Sequence, residues 1–313
     1  VRVYTHCLPK GFERPSAYYR LNAVDQGRIL RHGDGPNGCD ALFMREPIIY
    51  ESGGLYYLHY DACGSTSGYC APCLAISRDL AHWDLKGPAI PVASPGQPDG
   101  GGAASPWFVF DGREWHMFYI GWPNRGSPGA ECLGGPYLAL KARSASLAGP
   151  WTKQYEVVPF MPKPDTYYGA NASSGHIVKS GDEYLMFFSP QAVVWGGVLR
   201  SIGIARTQDL NGPWTVDPEP IVPMTEQIEN SSLYYEEANG TWFLFTNHIG
   251  CSAGPEREDY TDSVWVYWSK DLNHWDPRHK AVVIDGQNCT WASGNIGMAS
   301  VVKVGNRLAV FYD

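Results

Sequence analysis

One hairpin pattern recurs five times along the chain, and this repetition constrains the fold more than any other feature. In each copy a β-branched or aromatic run leads into a glycine-containing turn, and a second apolar run follows. The copies span 47–61, 106–120, 175–189, 233–247 and 299–313. The residues just after the turns are Tyr56, Trp115, Tyr184, Trp242 and Leu308, separated by 59, 69, 58 and 66 residues. Such runs around a glycine turn predict five β-hairpins.

A second pattern follows each of the first four hairpins: a strand, a Ser/Asp-Leu turn and a tryptophan. Its clearest copies are Ser-x-Asp-Leu-x-His-Trp at 77–83 and 269–275, and looser copies end at Trp151 and Trp214. With a further short β-rich segment, each unit has about four strands, which is the size of a propeller blade. We therefore predict an all-β chain forming a five-bladed β-propeller with four-stranded antiparallel blades, in a single domain over 1–313. A β-sandwich is the alternative, but it gives no reason for two patterns to recur in fixed order.

The fifth unit has its hairpin but lacks the second pattern, because the sequence stops at Asp313. Two ways to complete this unit are open. Either the segment 18–30 supplies an outer strand, or the natural protein continues past Asp313. We favour the second, with some contribution from the N-terminal segment.

Charge and composition narrow the class of partner. The formal net charge is -8 and no basic run is present, which argues against nucleic acid, since its phosphates require clustered Lys and Arg. No apolar run is long enough to span a bilayer, so no membrane insertion is predicted.

Eight cysteines and four Asn-x-Ser/Thr sequons, at Asn171, Asn230, Asn239 and Asn288, predict a secreted, extracellular glycoprotein with most cysteines paired. Cys70-x-x-Cys73 could form half of a zinc site, but no second pair follows it, so no metal site is predicted.

The Ser-x-Asp-Leu-x-x-Trp elements resemble those of the five-bladed propeller glycoside hydrolases, including families 43, 32 and 117. Arg45-Glu46-Pro47 is similar to the Arg-Asp-Pro that opens a blade in these families, with Glu in place of Asp. Glu229-Asn230-Ser231 lies near the position where family 43 carries a catalytic Glu-Gly-Pro. The acidic residue of the third blade in family 43 has no counterpart, because 171–175 contains no carboxylate. This departure indicates a separate branch of the group.

Catalytic candidates should precede the hairpins, because the segments leading into the innermost strands of a propeller meet at one rim. Glycoside cleavage needs two carboxyl groups on opposite sides of the scissile bond. Asp40 is predicted as base or nucleophile, although it could instead cap its own turn. Glu46 competes for that role, unless it only forms an ion pair with Arg45. Glu229 is predicted as the general acid, and Asp99 as a residue that tunes a pKa or binds a hydroxyl.

Further side chains near these segments could bind sugar. Arg45 is the positively charged residue in the segments that precede the hairpins. The aromatic rings of Trp107, Tyr168 and Trp291 could stack on a sugar. His248 could donate a hydrogen bond to a substrate hydroxyl or act as an acid, or it could form only a structural hydrogen bond. Asp262 likewise could either contact substrate or have a structural role. Oxygen ligands in the channel could hold a structural calcium ion, although no EF-hand spacing is present. No cofactor is predicted.

The function that these features favour is hydrolysis at the end of an oligo- or polysaccharide chain, with Asp40 and Glu229 in one solvent-reached pocket. The alternative is a non-catalytic carbohydrate-binding or assembly module, because a fold can be kept after its chemistry is lost. Two carboxylates converging in one pocket favour the enzyme.

Overall fold

A computed structural model describes residues 15–64, 69–123, 137–194, 197–251, 259–292 and 294–313. Over these residues the chain folds almost entirely into β-strands, as its aromatic and β-branched runs indicate. No helix among them is long and apolar enough to cross a membrane.

The strands fall into five units in chain order, preceded by β1 (Tyr19–Arg20). The first unit contains β2 (Phe43–Ser52), β3 (Leu55–Cys63), β4 (Cys70–Ser77) and β5 (Asp84–Pro88). The second contains β6 (Gly102–Phe110), β7 (Trp115–Trp122), β8 (Leu138–Ser144) and β9 (Thr152–Lys153). The third contains β10 (Asn171–Ser180), β11 (Glu183–Val194), β12 (Gly197–Arg200), β13 (Gly203–Thr207) and β14 (Thr215–Val216). The fourth contains β15 (Ile228–Glu236), β16 (Thr241–Cys251), β17 (Asp259–Ser269) and β18 (Lys280–Asp285), and the fifth contains β19 (Ser300–Val304) and β20 (Arg307–Phe311).

Neighbouring strands within each unit pair antiparallel. Two further pairings among the described strands are parallel: β1 with β18 at the edge of the fourth unit, and β4 with β6 between the first two units. The segment 18–30 therefore supplies an outer strand to the fourth unit and not to the fifth, which corrects one of the two expectations for that region. Among the described residues the fifth unit has two strands.

The first strands of the five units contact one another in a closed cycle: β2 with β6, β6 with β10, β10 with β15, β15 with β19, and β19 with β2. Apolar side chains fill the spaces between neighbouring units. Leu185 and Phe187 of the third unit pack with Trp265 of the fourth, for example. The tryptophans of the second sequence pattern help to close these spaces, and Trp151, Trp214 and Trp275 are buried.

A β-bulge interrupts the first strand of each of the first four units at the same place. Arg45 pairs with Asp61 and Ile48 with His59, so three steps on one strand match two on the other. The same shift follows Ala104, Ser173 and Glu229. The strands consequently begin at 43, 102, 171 and 228, earlier than the 47, 106, 175 and 233 expected from sequence. Residues expected in loops thus lie in strands, on the far side of a bulge.

Of the six cysteines that the structure describes, three are paired and three are free. Cys63 and Cys70 form a disulfide, which removes Cys70 from the zinc half-site, and Cys251 is also disulfide-bonded. Cys39, Cys73 and Cys289 are free thiols. Cys7 and Cys132 lie outside the described residues.

The four sequon asparagines differ sharply in their surroundings. Asn239 is exposed in the β15–β16 turn, whereas the amide nitrogens of Asn171, Asn230 and Asn288 donate hydrogen bonds to Ser173, Asn247 and Val283. Three of the four sequons therefore give little support to glycosylation of the folded chain, which stays a prediction.

Candidate active site

The four bulges place equivalent residues at one end of the cycle of inner strands. Three of these residues, Glu46, Ser105 and Asn230, have left-handed backbone conformations, with φ of 55°, 50° and 60°. A side chain costs energy in this conformation, so each position needs a compensating contact.

That contact comes from the preceding unit, at the end of its second strand. The Glu46 N–H donates to Oδ2 of Asp313, the Ser105 N–H donates to Oδ1 of Asp61 at 2.8 Å, and the Asn230 N–H donates to Oγ of Ser189 at 2.8 Å. The acceptors occupy equivalent places in their units. We call these three hydrogen bonds the bulge contacts.

The third unit departs from this rule for a visible reason. Ile120 stands at the acceptor position of the second unit, and its side chain cannot accept a hydrogen bond. Ser174, at the matching bulge, has no left-handed φ, and its Oγ instead donates to the Ser105 carbonyl oxygen at 3.3 Å.

Glu46 lies at the centre of a group of carboxylates. Its Oε2 accepts from Ser105 Oγ at 2.7 Å, and its Oε1 lies 4.0 Å from Nε of Arg45. About a fifth of its side chain is exposed (22%). Asp61 and Asp313 flank Glu46. Glu46 is thus reached by solvent and is also held in place by its neighbours.

The pKa values of the two flanking carboxyl groups are raised. Burial and the negative charge of Glu46 hold the pKa of Asp61 well above its usual range, against the effects of Arg45 and the Ser105 N–H. Burial also raises the pKa of Asp313 to about 6, with a further contribution from the charge of Glu46. A protonated neighbour reduces the repulsion that Glu46 would otherwise experience.

Glu229 faces the same group from the fourth unit. Its Oε1 accepts from Asn247 Nδ2 at 3.4 Å, its Oε2 lies 3.3 Å from Nε of Arg200, and a quarter of its side chain is exposed. Burial by the surrounding protein raises the pKa of Glu229; Arg200 opposes this, while the charge of Glu46 adds to it. Glu46 and Glu229 are therefore close enough to influence each other.

Two of the predicted catalytic residues lie elsewhere. Asp40 is fully buried and accepts the N–H of Gly35 at both carboxylate oxygens, at 3.1 and 3.0 Å. This corrects the expectation that Asp40 reaches solvent beside Glu229, since its carboxylate caps its own turn. Asp99 lies in the turn before β6 and is also fully buried. It forms an ion pair with Lys153 at 2.6 Å and accepts from the hydroxyls of Tyr119 and Tyr155.

The predicted sugar-stacking rings differ in access to solvent. Trp107 is 1% exposed and packs near His176, so its ring belongs to the core and not to a sugar subsite. Tyr168 is partly buried against Phe188. Trp291 is 38% exposed, and this ring remains accessible.

The three predicted polar binding residues occupy two places. Arg45 is partly exposed beside Glu46, with its guanidinium 5.0 Å from the Phe43 ring centroid. His248 and Asp262 form a pair, with Nδ1 and Oδ1 2.7 Å apart, and the imidazole stacks on Trp265. The structure thus brings together two residues that the sequence singled out separately.

Other features of the described surface are separate from this group. A wide groove between 217–221 and 268–279 contains neither Glu46 nor Glu229. Among the residues that the structure describes, no three His, Cys, Asp or Glu side chains are arranged to hold a metal ion.

Solved structures with the same architecture are numerous. The fold is that of the β-propeller glycoside hydrolases. Zg3597, a family 117 enzyme from Zobellia galactanivorans, aligns with a TM-score of 0.61 at 15% identity over 87% of this chain and 81% of its own. A thermostable family 43 glycoside hydrolase gives 0.58 at 18% identity, over 86% and 83%. An exo-1,5-α-L-arabinanase from a bovine ruminal metagenomic library gives 0.58 at 14%, over 86% and 87%.

These likenesses confirm the predicted resemblance to families 43 and 117 at the level of fold. No protein-family model matches the sequence, and no curated protein does. The activity must therefore be argued from the site.

Four residues of the site were missed by sequence reasoning: Asp61, Asp313, Arg200 and Asp259. The first two end the first and fifth hairpin repeats at equivalent positions, so an alignment of repeat ends could have found them. Arg200 is the last residue of β12 and Asp259 is the first residue of β17. Both lie outside the repeated hairpin pattern, so the repeat does not predict their positions.

Proposed function

We propose that this protein is a glycoside hydrolase in which Glu229 is the general acid and Glu46 is the base or nucleophile. The observation that carries this proposal is that, among the residues of the four bulges, Glu46 and Glu229 are the carboxylates, and the charge of Glu46 contributes to the raised pKa of Glu229. Two carboxyl groups facing one space are what glycoside cleavage requires.

The environments of the two groups suit different roles. A raised pKa keeps Glu229 protonated nearer to neutral pH, as a group that donates a proton to a leaving oxygen must be. Glu46 accepts a hydrogen bond from Ser105 and has Arg45 beside it, so its carboxylate is oriented from two sides. A base or nucleophile needs such a fixed orientation.

We further infer a five-bladed propeller acting on the ends of glycan chains. The closed cycle of inner strands supports five blades, and a narrow central site accepts a chain end more readily than an internal segment. The similar fold of an exo-acting arabinanase agrees with this mode of action. The partner would then be an oligo- or polysaccharide.

The test is Glu229→Gln assayed on two kinds of substrate. Turnover should fall on the order of 10²-fold or more for oligosaccharides, whose leaving groups need protonation, and far less for activated aryl glycosides. Glu237→Gln, an exposed residue of the same unit, is the matched control and should retain full activity. Equal loss on both substrates would assign Glu229 another role.

A non-catalytic glycan-binding module is the second candidate, and two observations favour it. The bulge of the third unit contains no carboxylate, and Arg200 pairs closely with Glu229. Such a module would bind oligosaccharides in calorimetry but cleave none of a panel of aryl glycosides and plant or algal oligosaccharides. Cleavage that is lost in Glu46→Gln would exclude it.

A further inference from the structure

Asp61 has one satisfied oxygen and one that lacks a donor. Its side chain is 2% exposed, and Oδ1 accepts the Ser105 N–H at 2.8 Å. Oδ2 is buried and has no hydrogen-bond partner among the described residues. A buried carboxylate oxygen without a donor is costly, so this arrangement calls for an explanation.

The explanation lies in the nature of its neighbour. The carboxyl group of Asp61 is within hydrogen-bonding reach of Glu46. Two ionised carboxylates offer four acceptor oxygens and no donor, so they cannot bond to each other. A single proton on one of them turns the contact into a short, charge-assisted hydrogen bond.

We propose that the Asp61 carboxyl group is protonated and donates a hydrogen bond to the Glu46 carboxylate, which makes Asp61 a positioning residue for the proposed base. The role of Glu46 rests on the proposed function, whereas the protonation of Asp61 does not. Asp61 itself needs no contact with substrate, because it is buried behind Glu46.

The groups around Asp61 decide which carboxyl holds the proton. Glu46 and Arg45 face it from β2, Ser105 from β6, and the neutral thiol of Cys73 from β4. Burial acts on Asp61 more strongly than the nearby Arg45, and so its pKa is raised. Solvent reaches 22% of the Glu46 side chain but only 2% of Asp61.

Ser105 links the two carboxyl groups and defines their geometry. Its N–H donates to Asp61 and its Oγ donates to Glu46, so one residue orients both. With a proton on Asp61, the Glu46 carboxylate receives hydrogen bonds from two directions. Fixing a reacting group in this way is worth a large factor in rate.

Two variants separate a protonated from an ionised Asp61. Asp61→Asn keeps the acceptor for Ser105 and places an N–H donor toward Glu46, so it imitates the protonated acid. We expect kcat/KM to fall less than about fivefold in Asp61→Asn but on the order of 10²-fold in Asp61→Ala, which removes the support of Glu46. Loss in Asp61→Asn as great as in Asp61→Ala would show that Asp61 acts as an anion. An active Asp61→Ala would overturn the positioning role.

Stability provides a readout that needs no substrate. A native proton on Asp61 is lost as pH rises, and the wild type is then destabilised relative to Asp61→Asn, which has no proton to lose. The Tm of Asp61→Asn minus that of wild type should increase between about pH 4 and 7, on the order of 2–4 °C per pH unit. Exposed Asp84→Asn is the control and should show a constant difference.

The two readouts distinguish the failure of each idea. A constant Tm difference for Asp61→Asn would overturn the protonation of Asp61, whatever the activity. An increasing difference in a protein that cleaves no glycan would retain the proton on Asp61 and reject the proposed function.

Discussion

Nε of Arg200 lies 3.3 Å from Oε2 of Glu229, while its Nη1 lies 2.6 Å from Oδ2 of Asp259. The arginine therefore divides its charge between two carboxylates. One of them is the proposed acid, which must hold a proton to work, so Arg200 acts against protonation and Asp259 moderates this effect.

Removal of the arginine charge should shift the pH dependence of activity. In Arg200→Met the pKa of Glu229 should rise further, because a neighbouring positive charge no longer favours the ionised form. The basic limb of kcat/KM against pH should then move upward by about one unit. Arg206→Met removes an arginine of the same unit that pairs with Asp217 instead, and its profile should match wild type. An unmoved limb in Arg200→Met would show that Glu229 does not control it.

Loss of a bulge contact should destabilise the protein. Ser189→Ala leaves the Asn230 N–H without its acceptor, and an unsatisfied backbone donor costs about 1–3 kcal/mol of unfolding free energy. Urea unfolding measures this loss. Ser180→Ala, at the exposed end of β10, should change stability by less than about 0.5 kcal/mol. Equal stabilities for the two variants would mean that the contact is not needed.

Acid should weaken the protein partly through His176. Nδ1 of this histidine accepts the Leu233 N–H at 3.3 Å, and burial lowers its pKa to about 4. The pKa of this histidine is about 6.5 in the unfolded chain and about 4 in the native chain. Between these pH values the unfolded chain binds a proton and the native chain does not, so the free energy of unfolding falls as pH falls. His176→Gln should lose less Tm than wild type between pH 7 and 5, and exposed His82→Gln should follow wild type. Parallel curves for His176→Gln and wild type would contradict this.

Alkali should have the opposite effect through Lys141. This buried lysine donates to Asn211 Oδ1 at 2.8 Å, joining the second and third units, and burial lowers its pKa to about 8. Above that pH the native chain releases a proton that the unfolded chain holds until about 10.4, so stability rises with pH in this window. The Tm gain of wild type from pH 8 to 9.5 should disappear in Lys141→Met. It should persist in exposed Lys179→Met, and a gain that survives in Lys141→Met would assign it to another group.

The repeat in the sequence predicted the architecture well because each hairpin carries its own turn glycine and its own aromatic runs. It misplaced the strand beginnings because a bulge inserts one residue and breaks the alternation that marks a strand. Residues such as Glu46 and Ser105 therefore looked like loop residues.

Asp40 shows the cost of that error. A loop was expected to extend from the glycine-rich turn to the first hairpin, which would have placed Asp40 at the rim. With the strand beginning at Phe43, Asp40 belongs to the turn that precedes it. Its carboxylate is then required by Gly33 and Gly35. Glu229 stands directly at its bulge and lies near Glu46, and its role as the general acid stays a prediction.

The equivalence of the bulges has an evolutionary consequence. At three of the four bulges the neighbouring unit holds the backbone in place through a bulge contact. A carboxylate could thus be lost by substitution at one bulge and gained at another. Its position in the site would change while the path of the backbone stays the same. A new substrate geometry could in this way arise from point mutations alone, with the scaffold inherited intact.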